Sequence, residues 1–298
     1  MGGSESELFN LLSQVNDQNE IIKILNAILK LLQISKENGD LIKIFANSSN
    51  LEIKKLALYI LAKLQYEIAK PFLRESITDT DDEISLIAVQ SIYWYANDRA
   101  KEWVELIVKR LKSINSENLL DFSFYILTET KYNYEDELLY LLKNENIEMR
   151  KTAFYNLSNL KNLKNRSTFE KIIKDALQKD THINLLIQIL QSIGDLNKIS
   201  FISHYKALLK RIPNNMYLIS NIINLVEELG LEFFDEEFEG YFKEYFDQIE
   251  FSKYDNTDLL NTLIDFSRIK SKKLLKYVMN HQDKEVRERA KEYFDELN

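Results

Sequence analysis

The chain has 298 residues and 45% hydrophobic content, ample for a core, so it is not a disordered polymer. Its 2 Pro and 6 Gly leave little material for hairpins and tight loops, which favours helices throughout. With 0 Cys there is no disulfide, thiolate nucleophile or zinc–thiolate site, and a formal charge of −8 argues against duplex binding. No apolar run approaches the roughly 20 residues of a membrane span. A soluble, cytoplasmic protein is the expectation.

In chain order, Met1-Gly-Gly-Ser4 lacks a basic-then-apolar leader pattern, and residues 1–7 are expected to be a disordered tail before one domain over 8–298. Glu20 to Ala27 opens a degenerate helical unit. A clearer phrase follows at Asn50-Leu-Glu-Ile-Lys-Lys-Leu-Ala57. It recurs at Asp81-Asp-Glu-Ile-Ser-Leu-Ile-Ala88, at Asn146-Ile-Glu-Met-Arg-Lys-Thr-Ala153 and at Asp283-Lys-Glu-Val-Arg-Glu-Arg-Ala290. The four alanines lie 31, 65 and 137 residues apart from first to second, second to third and third to fourth. That is one, two and four units of a fixed period, the mark of stacked helical repeats. Degenerate units fill the gaps at Ser116–Leu127, Asp180–Leu190, Asn215–Ile223 and Asn256–Ile264. Shorter first helices are predicted over 69–76, 101–111, 135–142, 168–177 and 202–210.

The phrase has a physical logic. A short polar side chain caps the helix, and the Glu favours the positive end of the macrodipole. The aliphatic residue and the Ala, four apart, share one face, and the small Ala admits a closely packed neighbour. The base beside the aliphatic residue is expected to reach an acid of the adjoining turn. These positions are read as stacking residues.

This pattern resembles HEAT repeats, including their lyase-type subfamily, over residues 20 to 298. The 283–290 phrase carries the resemblance most closely and the 146–153 phrase nearly as well. Ser85 departs from it by replacing the base. The resemblance implies an all-α, right-handed α-solenoid of about nine HEAT-like helix pairs, with second helices lining the concave side. It implies no single activity.

Residues Glu227 to Phe251 hold ten acids against Lys243, so the remainder of the chain is near neutral. On a helical wheel, Phe234, Phe238, Tyr241, Phe242, Tyr245, Phe246 and Ile249 fall within about 140° of arc and read as core. Glu236, Glu237, Glu239, Glu244, Asp247 and Glu250 fall opposite. That ridge is the candidate surface for a basic protein partner, acting through electrostatic steering. Basic residues gather instead at Lys206, Lys210 and Arg211 and at Arg268, Lys270, Lys272, Lys273 and Lys276.

Trp94 and Asp98, four apart, with Arg150 downstream, resemble the base-excision residues of alkylpurine DNA glycosylases built on HEAT-like repeats. Against this, Arg150 is the phrase's own base and Trp94 sits on a repeat stripe. Tyr132, Tyr134 and Tyr140, with Tyr93, Trp94 and Tyr95 one repeat earlier, either anchor a partner or fill helix junctions, and packing is the expectation. Asp79, Asp81, Asp82 and Glu83 lack the glycine-bearing loop of a calcium site. His182, His204 and His281 are isolated, so no metal is expected. No phosphate-cradling, dinucleotide or nucleophile-elbow glycine pattern occurs, and no cofactor is expected. The resulting expectation is a protein-binding repeat module, of the kind with which an acidic inhibitor or immunity protein masks a basic effector. The alternatives are the glycosylase and a chaperone-like tetrapyrrole lyase subunit, the latter implied by the repeat subfamily alone.

Overall fold

The computed structural model describes residues 4–194, 196–212, 215–248, 264–265, 267, 269–281 and 283–297. Among them are seventeen α-helices, three 3-10 segments and no strand. The chain divides into two compact units, Met1–Thr152 and Ala153–Asn298, where one body over 8–298 is expected. A repeat array has no single shared core, so such a division is open to it.

In the first unit the helices are α1 (Glu5–Gln14), α2 (Gln18–Ile28), α3 (Lys36–Ala46), α4 (Leu51–Leu64), α5 (Tyr66–Ile77), α6 (Asp82–Tyr95), α7 (Val104–Leu111), α8 (Glu117–Glu129) and α9 (Glu135–Leu141). A 3-10 segment, Asn97–Trp103, leads into α7. Next comes α10 (Ile147–Leu157), which begins in the first unit and ends in the second. The second unit continues with α11 (Arg166–Lys179), α12 (Ile183–Gln191), α13 (Ile202–Arg211), α14 (Met216–Leu229), α15 (Glu236–Gln248), α16 (Lys272–Val278) and α17 (Lys284–Glu296). Consecutive helices pack as pairs, α1 with α2, α3 with α4, α5 with α6, α7 with α8, α11 with α12, α13 with α14 and α16 with α17. The second helix expected after α15, Asn256–Ile264, lies outside the described residues except for Ile264.

Within the first unit each second helix packs on the next, α2 on α4, α4 on α6 and α6 on α8. The first helices form the other layer, α3 touching α5 and α5 touching α7. In the second unit α12 packs on α14 and α11 on α13 in the same way.

The start of the chain corrects one expectation. Residues 5–7 are helical, because Ser4 accepts from the Glu7 backbone N–H while Glu7 accepts from the Ser4 N–H, a reciprocal cap that satisfies two free donors.

The phrase performs as its chemistry requires in its caps and alanines. Asn50 Oδ1 accepts from the N–H groups of Glu52 (3.0 Å) and Ile53 (3.2 Å), and Asp283 repeats this on Glu285 and Val286. Ala57, Ala88, Ala153 and Ala290 are all fully buried.

The base also completes the turn that precedes its own helix. Arg150 Nη1 donates to the turn carbonyls of Asn144 (2.9 Å) and Glu145 (3.1 Å), and Arg287 Nη1 donates to that of His281 (2.7 Å). Carbonyls just past a helix end have no partner within it, so a donor from the following helix completes them.

Where the base is missing, a donor comes from the next first helix. Arg110, in the last turn of α7, donates to Ser85 Oγ (3.1 Å), the Thr80 carbonyl (3.3 Å) and Asp82 (2.5 Å). Ser85 Oγ itself sits 3.1–3.2 Å from the carbonyls of Ser76, Ile77 and Asp79. Arg211, in the last turn of α13, likewise reaches the carbonyls of Leu177, Gln178 and Asp180. In the α8 repeat, Tyr140 donates its hydroxyl to the Lys112 carbonyl at 3.1 Å.

Candidate functional site

The phrase explains why most polar residues carry structure. Asp79 accepts from the Asp81 N–H, Asp81 caps Glu83, and Asp82 holds both Arg110 and the Asn115 N–H. This acidic run is absorbed by turn and cap. Among the described residues, no three His, Asp or Glu side chains group so as to hold a metal ion.

The acidic ridge rises from α15 as the wheel requires. Phe238 and Phe242 are fully buried, and Phe234 stacks on both with ring centroids 6.0 and 5.7 Å away. Its acids are partly committed to neighbouring helices. Lys206 of α13 binds Asp235 (2.5 Å) and Glu237 (2.7 Å) and lies 5.1 Å over the Phe238 ring. The Lys206 and Tyr241 hydrogen bonds hold the Glu237 carboxyl below its usual range. Glu239 accepts from Ser271 Oγ (2.6 Å) and pairs with Lys273 (3.1 Å) of α16. Glu236 and Glu244 are exposed. The Asp247 side chain and all of Glu250 lie outside the described residues, as do Tyr245, Phe246 and Ile249 as packing side chains.

Trp94, Asp98 and Arg150 stand differently from one another. Trp94 is on the last turn of α6 and 58% exposed. Asp98 falls in the 3-10 segment and its side chain lies outside the described residues. The Arg150 guanidinium is turned onto its own turn carbonyls. Tyr132 and Tyr134 lie in the α8–α9 connection; Tyr134 is buried against Phe124, while Tyr140 is exposed apart from its carbonyl bond.

Among the exposed aromatics, which include Tyr140, Tyr155 and Tyr217, Trp94 and Tyr125 gather about one ring on the second helices of the first unit. Tyr93 lies at the hub, edge-on to Trp94 (4.7 Å) and Phe122 (5.4 Å) and tilted against Tyr125 (5.5 Å). Tyr125, on α8, is 54% exposed. Beside them, Tyr59 of α4 meets the edge of Tyr95 at 6.0 Å and donates to Gln90 Oε1 at 2.5 Å. Burial of that hydroxyl, with Tyr95 and Glu52 nearby, pushes the Tyr59 phenol up to about 12. Three consecutive second helices thus present one aromatic strip, with Trp94 and Tyr125 open to solvent. For Trp94 this corrects the packing expectation.

The charge of this strip is one-sided. Neither α6, Asp82–Tyr95, nor α8, Glu117–Glu129, contains a Lys or Arg, although the chain has 39. Asp82 is neutralised by Arg110, and Glu117 faces Lys151 at 3.6 Å. Glu83, Asp121 and Glu129 have no ion-pair partner among the described residues. Burial, and then Glu117 close by, raise the Asp121 carboxyl above its ordinary value against the pull of Lys151. Phe122 and Tyr125 escaped the sequence reading. The absence of any base does not single them out, because the successive second helices α12 and α14 also lack one.

A concavity of about 240 Å³ lies in the second unit, lined by Gln191, Lys198, Asn221, Asn224 and Glu228. It is closed off by its own pairings, Gln191 with Asn221 and Lys198 with Glu228.

No family model matches the chain, and no curated protein matches it. Among solved structures, the X-ray structure of YibA from E. coli matches at 15% identity, covering 98% of this chain and 93% of that one with a TM-score of 0.54. An engineered protein matches at 12% identity over 88% of this chain and 97% of its own, but its TM-score of 0.20 carries no weight. The YibA likeness shows the fold alone, and with the helix pairing above it makes this chain an all-helical repeat protein.

Proposed function

We propose that this chain is a protein-binding module of the HEAT-repeat type, which takes its partner on the second-helix face of the first unit. The observation that carries this reading is the ring cluster of Tyr93, Trp94, Phe122 and Tyr125, with a Trp and a Tyr each more than half exposed. Exposed Trp and Tyr on a rigid helical platform are the residue types that dominate interface hot spots. The caps and alanines of the phrase are taken up by capping and stacking, and this cluster lies outside the phrase on α6 and α8. The net charge of −8 and the exposed Glu236 and Glu244 add a field that favours a basic partner, as for an inhibitor or immunity protein masking a basic effector.

The test is affinity capture from the native source with the wild-type chain and with W94A/Y125A, followed by reconstitution with the purified partner. The double variant should bind at least tenfold more weakly, about 1.4 kcal/mol, with unchanged helical circular dichroism. Equal binding by the two proteins would remove the aromatic face from consideration. No membrane attachment through a spanning helix enters this reading, since no helix among the described residues is long and apolar enough to cross a bilayer.

A further inference from the structure

The chemistry of the face specifies what can lie on it. Four aromatic rings offer π faces and edges at 4.7–5.5 Å spacing, and two of them are open to solvent. On the same helix as Tyr125, Glu129 has no ion-pair partner among the described residues, Asp121 makes no ion pair although Lys151 of α10 pulls on it, and the two helices that carry the rings contain no base. A phosphate backbone would be repelled by such a surface, although its bases could stack there. An acidic or purely apolar segment would leave the carboxylates uncompensated. A guanidinium satisfies both features at once, because it is planar enough to stack on a ring and presents donors to a carboxylate at its edge.

We propose that the α6–α8 face is a docking site for an extended peptide segment bearing arginine or lysine, whose cationic side chains lie over Trp94 and Tyr125 and are bound by Asp121 and Glu129. This rests on the reading that the aromatic face is the interaction surface, and it adds the identity of the occupant. Helices packed side by side have axes roughly 8–10 Å apart. An extended chain advances about 3.3 Å per residue. A segment crossing from α6 to α8 therefore matches the two rings when its basic residues stand three apart. On the same face, Asp121 and Tyr125 are four apart, as are Tyr125 and Glu129, so each carboxylate lies one turn from the ring it serves.

The chain contains a built-in reporter. It has two tryptophans, of which Trp94 is exposed and Trp103 is fully buried with its indole N–H donated to Tyr66 at 2.5 Å. Only Trp94 can respond to an occupant of the face. The experiment titrates the full chain with a synthetic peptide of four Arg-Gly-Ser units, following Trp94 emission and, with a fluorescein label on the peptide, anisotropy. Parallel titrations use the same peptide with citrulline for arginine, the same peptide with glutamate for arginine, and a single-stranded oligonucleotide.

The expected result is saturable binding of the arginine peptide with a shift in Trp94 emission. D121N/E129Q should weaken it about tenfold at low salt and less at high salt. The citrulline peptide should bind about as weakly as the arginine peptide binds to D121N/E129Q, and Y125A should weaken anisotropy-detected binding several-fold. E236Q/E244Q, which changes α15 in the second unit, should have less than a twofold effect. The proposal falls if no probe binds, if D121N/E129Q binds the arginine peptide as tightly as wild type, or if the glutamate peptide or the oligonucleotide binds better. Any of those outcomes, together with loss of partner capture by W94A/Y125A, leaves the interaction surface in place and removes only its basic occupant. Unaltered capture by W94A/Y125A removes the surface itself.

Discussion

Replacing Arg110 by Ala removes the donor that completes the α5–α6 turn. Its side chain is 7% exposed and makes five contacts: to Ser85 Oγ, the Thr80 carbonyl, Asp82, the Ser113 carbonyl and Ser113 Oγ. Removing one member of a buried ion pair costs about 3–5 kcal/mol, because the remaining charge is left uncompensated. Asp82 is 21% exposed and keeps the Asn115 N–H, so water and that bond recover part of the loss, placing the cost near 3 kcal/mol. With a urea slope of about 2 kcal/mol/M, the midpoint of the first unit should fall by about 1.5 M.

Trp103 emission in a W94F background reports this unit, since that indole is fully buried in the first unit. Arg110→Ala and Asp82→Asn should be strongly non-additive, because each breaks the same pair. A second variant tests the repeat logic itself. Ser85 occupies the position from which Arg150 and Arg287 reach their own turn carbonyls, so S85R/R110A should regain at least about 1 kcal/mol over R110A. A loss below about 1 kcal/mol in R110A, or no recovery in S85R/R110A, would refute the idea that a donor from the following helix replaces the missing base.

Two further outcomes follow from groups whose surroundings oppose or favour their charge. Glu137 is buried with Oε2 lacking a hydrogen-bond partner, and burial above all raises its carboxyl over the ordinary value. A raised folded-state value means that its contribution to stability is present below the unfolded value of 4.5 and is lost as pH rises through the folded value. Glu137→Gln should therefore gain stability relative to wild type as pH rises from 4 to 7, measured by urea titration at each pH; an equal difference at both ends would contradict it. Lys206→Met should return the Glu237 carboxyl upward toward the ordinary Glu range, read by carbon NMR titration, because the Lys206 hydrogen bond is the largest influence lowering it. An unchanged titration would show that the ridge does not depend on α13.

Local signals were legible in the sequence and long-range ones were not. Asn50, Asp81 and Asp283 act within three residues of themselves, so their capping can be read from a short phrase. The buried alanines follow from helical period in the same way. Arg110 completes Ser85 from 25 residues downstream, and Lys206 holds Glu237 from 31 residues upstream. Neither link has a local pattern, because it depends on which helices the stack makes adjacent. The wheel sorted Phe234, Phe238 and Phe242 from the acids of α15 correctly, since that helix has one apolar stripe. It fails for α6, where Ser85, Ile87, Ala88, Val89, Ser91 and Ile92 are buried by neighbours on several sides. A helix covered over most of its circumference is apolar nearly all round, so periodicity cannot say which apolar residue is left open. Trp94 is that residue, and only the packing of α4, α5 and α8 around α6 reveals it. The helices α6 and α8 lack bases, but so do α12 and α14, so it is the exposed rings and not the missing charge that single out the α6–α8 face.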